Sequence, residues 1–388
     1  MKNLLLILFL LILFSSNIFS GDVSRTGTTG TLSLTALSGY GVKLLNGLGN
    51  SGLINSTSNL GFMNPASIGS LQNLSIGLTY QVNTPVYFPE PYDETNYDRV
   101  YNFIPQSFGA VYKYDDFTFG LSIGQEFNTK IDYGEIPETS PQFPDGTGTT
   151  YTPIIEYMIE NYSLSTAYNF EKSVFDEAEV SLGIRYTLNR FHGYEKLLST
   201  VAEQATLASS IEAGILLKFE ESQFGLSFNS GKTFNATYSD DLHVSTTTPG
   251  TTSGSYVIET PGFEFFSPAE ISFDALFKLR DHLKLTAAVN NVFWSSDYSA
   301  FTNQLDISSS IIYDTQNMLS GSLGLLLSNC FLVDDYEYEN EFNALFIMMG
   351  LNLKFKNFNI DFALADSHLL SGEYRKQAIA KLGLEIQL

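Results

Sequence analysis

Residues 73–82 read NLSIGLTYQV, and their pattern decides the fold. Leu74, Ile76, Leu78, Tyr80 and Val82 fall on one side of an extended chain, while Asn73, Ser75, Gly77, Thr79 and Gln81 fall on the other. Successive side chains of a strand point to opposite faces, so strict period two predicts a strand with one apolar and one polar face. The pattern recurs in FTFGLSIG (117–124), YSLSTAYNF (162–170) and AEVSLGIRYTL (178–188). In the last run and its continuation, Glu179, Arg185 and Asn189 hold the polar face, so the two faces meet different solvents.

Fourteen such runs can be drawn: 73–83, 106–114, 117–127, 160–170, 178–190, 207–219, 223–234, 269–279, 283–293, 303–313, 318–328, 343–355, 357–365 and 376–388. About eleven residues at ~3.3 Å each, tilted near 40°, span roughly 25–28 Å, the apolar height of an outer-membrane barrel. The connections agree. Short joins at 115–116, 171–177, 220–222, 280–282, 314–317 and 356 alternate with long ones at 84–105, 128–159, 191–206, 235–268, 294–302, 329–342 and 366–375. Short periplasmic turns opposite long external loops are the habit of transmembrane barrels. The expected fold is therefore all-β, a transmembrane antiparallel barrel of about fourteen strands.

Composition supports this. Charged residues make up 16% of the 388, against the usual quarter, while 31 phenylalanines and 22 tyrosines accompany one tryptophan. The net charge of -22 argues against nucleic acid as a partner. The opening MKNLLLILFLLILFSSNIFSG has one lysine, an apolar run over Leu4–Phe14 and small polar residues after it, which predicts a signal peptide over 1–20. That run is too short for a spanning helix, which needs about twenty residues. The lone cysteine, Cys330, excludes an internal disulfide.

Residues 21–72 lack period two and are rich in glycine, so they are expected to form an N-terminal hatch, leaving 73–388 as the barrel. The hatch ends in MNPASIGSL (63–71). This resembles the Asn-Pro-Ala-Gly-Leu signature that precedes the first strand in the FadL family of long-chain fatty acid and hydrocarbon transporters, with Ser67 and Ile68 replacing Gly and Leu. SPAEISFDALFKL (267–279), LKLTAAVNNVFWSS (283–296) and FNIDFALADS (358–367) are similar to later strands of that family. The resemblance implies a monomeric plugged barrel in the outer membrane of a Gram-negative bacterium, passing hydrophobic small molecules passively. Outer-membrane lipid and the barrel assembly machinery are the other partners expected, the latter reading the amphipathic final strand QAIAKLGLEIQL (377–388). Alternatives are a PorV-like secretion or assembly component that binds a protein, and a general porin or adhesin. An elongated apolar pocket would mark transport, a filled lumen with an apolar outer patch would mark partner binding, and a continuous polar lumen would mark a porin.

Asn64, Pro65 and Ala66 are the candidate turn from hatch to wall, since proline presets its own backbone and asparagine bonds nearby main chain. Arg185, Lys218, Lys278 and Lys354 lie on polar faces as candidate ligands for a carboxylate head group, or as partners of lumen carboxylates. YEKLLSTVAEQATLA (194–208) reads either as a short helix with Leu197, Leu198 and Val201 on an apolar, substrate-facing side or as a stiff loop. Trp294 is expected in the interfacial girdle. The four histidines lack metal-ligand spacing and no nucleophile elbow occurs, so neither enzyme activity, cofactor nor metal is expected. The acidic run DDYEYENE (334–341) reads as a solvated outer loop or a calcium loop.

Overall fold

In the computed structural model, residues 42–71, 74–83, 104–132, 154–170, 178–197, 200–236, 263–294, 302–315, 318–329, 343–371 and 376–388 are described, with short strand pieces at 136–137, 150–151, 242–246 and 254–258. The expected signal peptide, residues 21–41, Leu198 and the acidic run 334–341 lie outside the described residues.

Fourteen strands close into one barrel. They are β1 (Leu74–Asn83), β2 (Ile104–Tyr114), β3 (Phe117–Asp132), β4 (Ile154–Phe170), β5 (Glu179–Leu197), β6 (Thr200–Lys218) and β7 (Ser222–Asn229). The second half comprises β8 (Glu270–Arg280), β9 (Leu283–Val292), β10 (Gln304–Asp314), β11 (Leu319–Ser328), β12 (Ala344–Lys354), β13 (Phe358–Asp366) and β14 (Ala378–Gln387). Each strand pairs antiparallel with its neighbours in sequence, and β14 closes on β1 with Leu382 opposite Tyr80. Closure leaves no open sheet edge, which is what a membrane demands of strands.

Period two sorts the side chains as expected. Ile76, Phe119, Leu121, Ile123, Ile184, Leu323 and Leu351 face outward and are exposed, while Ser75, Thr118, Ser122, Asn189, Ser310 and Asn352 face inward and are buried. Near the short turns the outer face is aromatic. Phe117 packs on Tyr168 and Tyr168 on Phe170, both pairs with ring centroids 4.8 Å apart, and Phe224 meets Phe277 at 5.6 Å. Toward the long loops the apolar face stops at an outward ion pair, Arg190 with Glu160, 3.2 Å apart.

Three departures from the sequence pattern are informative. First, β3 to β6 run well past the expected ends, so two hairpins replace much of the expected loops. The short helix considered for 194–208 is not formed: Glu203 pairs with Tyr194 and Val201 with Lys196 in the β5–β6 ladder. Lys196 also pairs with Ile154 of β4, so strand neighbours on both sides satisfy backbone that a helix would have taken out of the sheet. Second, the run 223–234 breaks at Gly231, whose φ of +70 favours glycine. Lys232–Ala236 then leaves the wall and pairs with Phe263–Ser267. Third, Trp294 is not in a girdle. It is 1% exposed and its Nε1 donates to Gln304 Oε1 at 3.2 Å. Trp294 continues the inward register of Thr286, Ala288, Asn290 and Val292, which points its ring away from lipid. The girdle on the short-turn side is built from Phe and Tyr.

Residues 42–71 lie inside the barrel. They form a two-residue ladder pairing Leu45–Asn46 with Gly49–Asn50, and 3-10 turns at Thr57–Asn59 and Pro65–Ser70. Leu60, Met63, Ile68 and Leu71 pack on Val111 and Ala167 of the wall. On the opposite side Val42 and Leu45 pack on Leu326, Phe346, Met348, Ala363 and Ile379. Each such side chain contributes about 1.5–3 kcal/mol on burial, against about 0.5–1.5 for a typical hydrogen bond. Apolar contact and charge-assisted hydrogen bonds from the wall, worth about 1.5–3 kcal/mol each, hold the segment inside together, and the directional bonds fix where it sits.

Candidate functional site

Among the described residues, the junction between this inner segment and the wall brings together buried polar and charged side chains from both. Asn64 precedes Pro65, whose ring presets the first position of the 3-10 turn. The Asn64 carboxamide accepts a hydrogen bond from Ala66 N–H at 2.9 Å and its Nδ2 donates to the carbonyls of Ile215 and Leu226, at 3.3 and 3.2 Å. Ile215 and Leu226 are register partners across β6 and β7, so one side chain caps a turn and clamps it to two strands. The fit requires glycine beneath it. A methyl group on Gly214 would overlap Asn64 Oδ1, and one on Gly183 would overlap the backbone of Pro65 and Ala66.

Charged wall residues grip the segment's backbone. Arg185 is 1% exposed; its Nη2 donates to the carbonyls of Leu60 and Met63 at 2.7 and 2.5 Å, its Nε to Ser165 Oγ at 3.1 Å, and its Nη1 pairs with Glu212 at 2.5 Å. Asp274 Oδ1 accepts from Ser51 Oγ at 2.7 Å and Gly52 N–H at 2.8 Å. Glu385 accepts from Thr57 N–H at 3.0 Å, and Lys381 donates to the carbonyls of Val42 and Lys43 at 2.7 and 2.9 Å. Lys43 of the segment pairs with Glu270 at 2.6 Å. Burial pulls the Lys43 pKa down, but Glu270, with Glu126 and Glu212 nearby, outweighs this and holds it above the ordinary lysine value.

Two cavities border this junction. A polar chamber of about 40 Å³ is lined by Lys43, Glu126, Asn161, Asn189, Glu212 and Lys232, among others, and Lys232 pairs there with Glu126. A wider vestibule of about 420 Å³ lies at the short-turn end, against Gly69, Asn169, Glu179, Ser181 and Lys218. A third gap, of about 10 Å³, lies between the segment and the wall against Leu45, Asn59, Thr79, Asp361 and Lys381.

The candidate ligand cations separate in this setting. Arg185 sits at the centre of the junction with its donors taken by protein. Lys218 is at the vestibule rim, 3.3 Å from Glu179, and Lys278 is at the β8–β9 turn, 3.1 Å from Asp281. Leu197 and Val201 lie on backbone near the β5–β6 tip, and Val201 pairs with Lys196 rather than with either of the other leucine candidates. Asn64, Pro65 and Ala66 come together as one turn. Sequence reasoning missed Asp274, Glu385 and Lys381 as grips on the inner segment; each is a charge on a polar strand face, which is the only signal the sequence carries.

No family model and no curated protein sequence matches the chain. Solved structures do. The toluene transporter TbuX of Ralstonia pickettii superposes with a TM-score of 0.56 at 15% identity, over 91% of this chain and 99% of that one. The toluene transporter TodX of P. putida gives 0.56 at 10% identity, over 86% and 95%, and a Pseudomonas aeruginosa FadL homologue gives 0.52 at 11%, over 90% and 98%. The class is thus a plugged fourteen-stranded barrel. Within that class, the fold is that of the FadL-type transporters.

Proposed function

We propose that the chain is an outer-membrane channel for passive uptake of hydrophobic small molecules, of the long-chain fatty acid or hydrocarbon kind. The observation that carries this reading is residues 42–71 stopping a fourteen-stranded barrel whose fold is shared with two toluene transporters. On this reading residues 1–20 are removed on export, 21–72 form the hatch and 73–388 the wall, inserted as a monomer by the barrel assembly machinery. Residues 42–71 pack against the wall on two sides of the barrel, so passage on this reading requires the hatch to shift. Val42 and Leu45 pack directly on Leu326, Phe346, Met348, Ala363 and Ile379 of the β11–β14 wall, so a shift of the hatch there would bare an apolar surface suited to a greasy substrate.

A second reading is a barrel that binds a protein partner in secretion or assembly; it calls for an apolar patch on the outer loops as well as a hatch inside the barrel, and most of those loops lie outside the described residues. Uptake of radiolabelled oleate and toluene by a deletion strain, with and without the gene restored, separates the two. Restored uptake of either compound supports the channel. Identical uptake with and without the protein overturns it and leaves the partner-binding reading.

A further inference from the structure

The inward residues of three adjacent strands form layers. On β5, Glu179 and Ser181 line the vestibule, Gly183 and Arg185 meet the inner segment, and Thr187 and Asn189 line the chamber. On β6 the same order runs from Lys218 and Leu216 through Gly214 and Glu212 to Ser210. On β4 it runs from Asn169 through Ala167 and Ser165 to Asn161. Vestibule and chamber are therefore stacked along one sector, separated by the Asn64–Ala66 turn, the Arg185 side chain and the inner segment's Leu60, Met63 and Ile68 packed on Ala167.

The chamber is charged. It holds four carboxylates, Glu126, Glu212, Glu270 and Asp274, against two ammonium groups, Lys43 and Lys232. Asn161 is 8% exposed, lines the same cavity and has an Oδ1 with no hydrogen-bond partner, an acceptor suited to water or a cation. We propose that the β4–β6 sector carries a second, polar route for water and small monovalent cations, closed in this structure by a septum in which Arg185 is the latch. Arg185 bridges the wall carboxylate Glu212 and the carbonyls of Leu60 and Met63, so it ties segment to wall and fills the space between the cavities with positive charge. A cation meets a like charge there; the chamber beyond it has an excess of carboxylate. This route is separate from hydrophobic uptake, and its failure leaves that reading untouched.

The test is single-channel recording of the full mature chain in planar bilayers under a KCl gradient. Arg185→Ala is expected to raise conductance several-fold over the intact protein, with a reversal potential on the cation-selective side. Glu212→Gln, which keeps the carbonyl contacts of Arg185 but removes one chamber carboxylate, is expected to give a smaller rise and weaker selectivity. Unchanged conductance in an Arg185→Ala protein that keeps its heat-modifiable gel shift, or an anion-selective current, overturns the proposal. A second measurement is independent of that variant's folding. In a Cys330→Ser background, a cationic thiosulfonate added from the short-turn side should label Ser181→Cys at least tenfold faster than Ser210→Cys. Equal labelling of the two positions means that no septum separates the cavities, and also overturns it.

Discussion

Replacing Asn64 by alanine removes three hydrogen bonds at once: the cap on Ala66 N–H and the two Nδ2 contacts to the wall carbonyls of Ile215 and Leu226. Loss of such a cap costs about 1 kcal/mol and each carbonyl contact about 0.5–1.5, so docking of the turn should weaken by about 2–4 kcal/mol. At about 1.4 kcal/mol per factor of ten, that is a roughly 30- to 700-fold loss of protection if the turn opens as a local unit. Amide hydrogen exchange of the mature protein in detergent, read by mass spectrometry on peptides spanning 57–71, measures it. Wall peptides from β9 to β12 should be unaffected, because Asn64 touches none of those strands. Asn64→Asp keeps the cap acceptor but turns a carboxylate toward two carbonyls, and should lose at least as much protection. Unchanged exchange at 57–71 in both variants would refute the clamp, as would equal loosening of the whole barrel.

Gly183→Ala places a methyl group against the Pro65 and Ala66 backbone, and overpacking of this kind costs about 1–3 kcal/mol, so exchange at 57–71 should rise while the heat-modifiable gel shift persists. Asp274→Asn keeps one acceptor for Ser51 Oγ and Gly52 N–H and should change docking by less than about 1 kcal/mol; Asp274→Leu strands both donors in the interior, costs about 1–3 kcal/mol each, and should raise exchange around Ser51 sharply. On the outer face, Ile184→Arg should destabilise folding into vesicles by about 2–4 kcal/mol in urea titrations, whereas Leu188→Arg, next to the outward Arg190, should cost about 0–1.

The wall was legible because lipid and lumen impose opposite chemistry on alternate residues. In YSLSTAYNF and AEVSLGIRYTL the outward Leu164, Ile184 and Tyr186 and the inward Ser163, Ser165 and Arg185 differ enough to set each strand's face. Past the Arg190–Glu160 pair the contrast inverts, with Ile159 and Phe191 buried inside while the outer face turns charged, so the apolar-out, polar-in signal that marks the wall is lost and the strands read as loops. For Trp294 register overrides residue type: it falls in phase with Thr286, Ala288 and Asn290 and is buried, although an indole is otherwise a mark of the interface. The Asn-Pro-Ala turn could be read, since proline and asparagine constrain backbone locally. Its anchorage could not: Arg185, Lys381 and Asn64 bind backbone carbonyls, which every residue has and no sequence advertises.

Central to all of this is a wall in which alternate side chains meet lipid and a filled interior. A nitroxide scan across residues 305–313 of β10 in reconstituted bilayers tests that most directly. Oxygen accessibility should peak at 305, 307, 309, 311 and 313 and fall at 306, 308, 310 and 312, whose native side chains are buried. A flat profile, or one repeating every three to four residues, would contradict it.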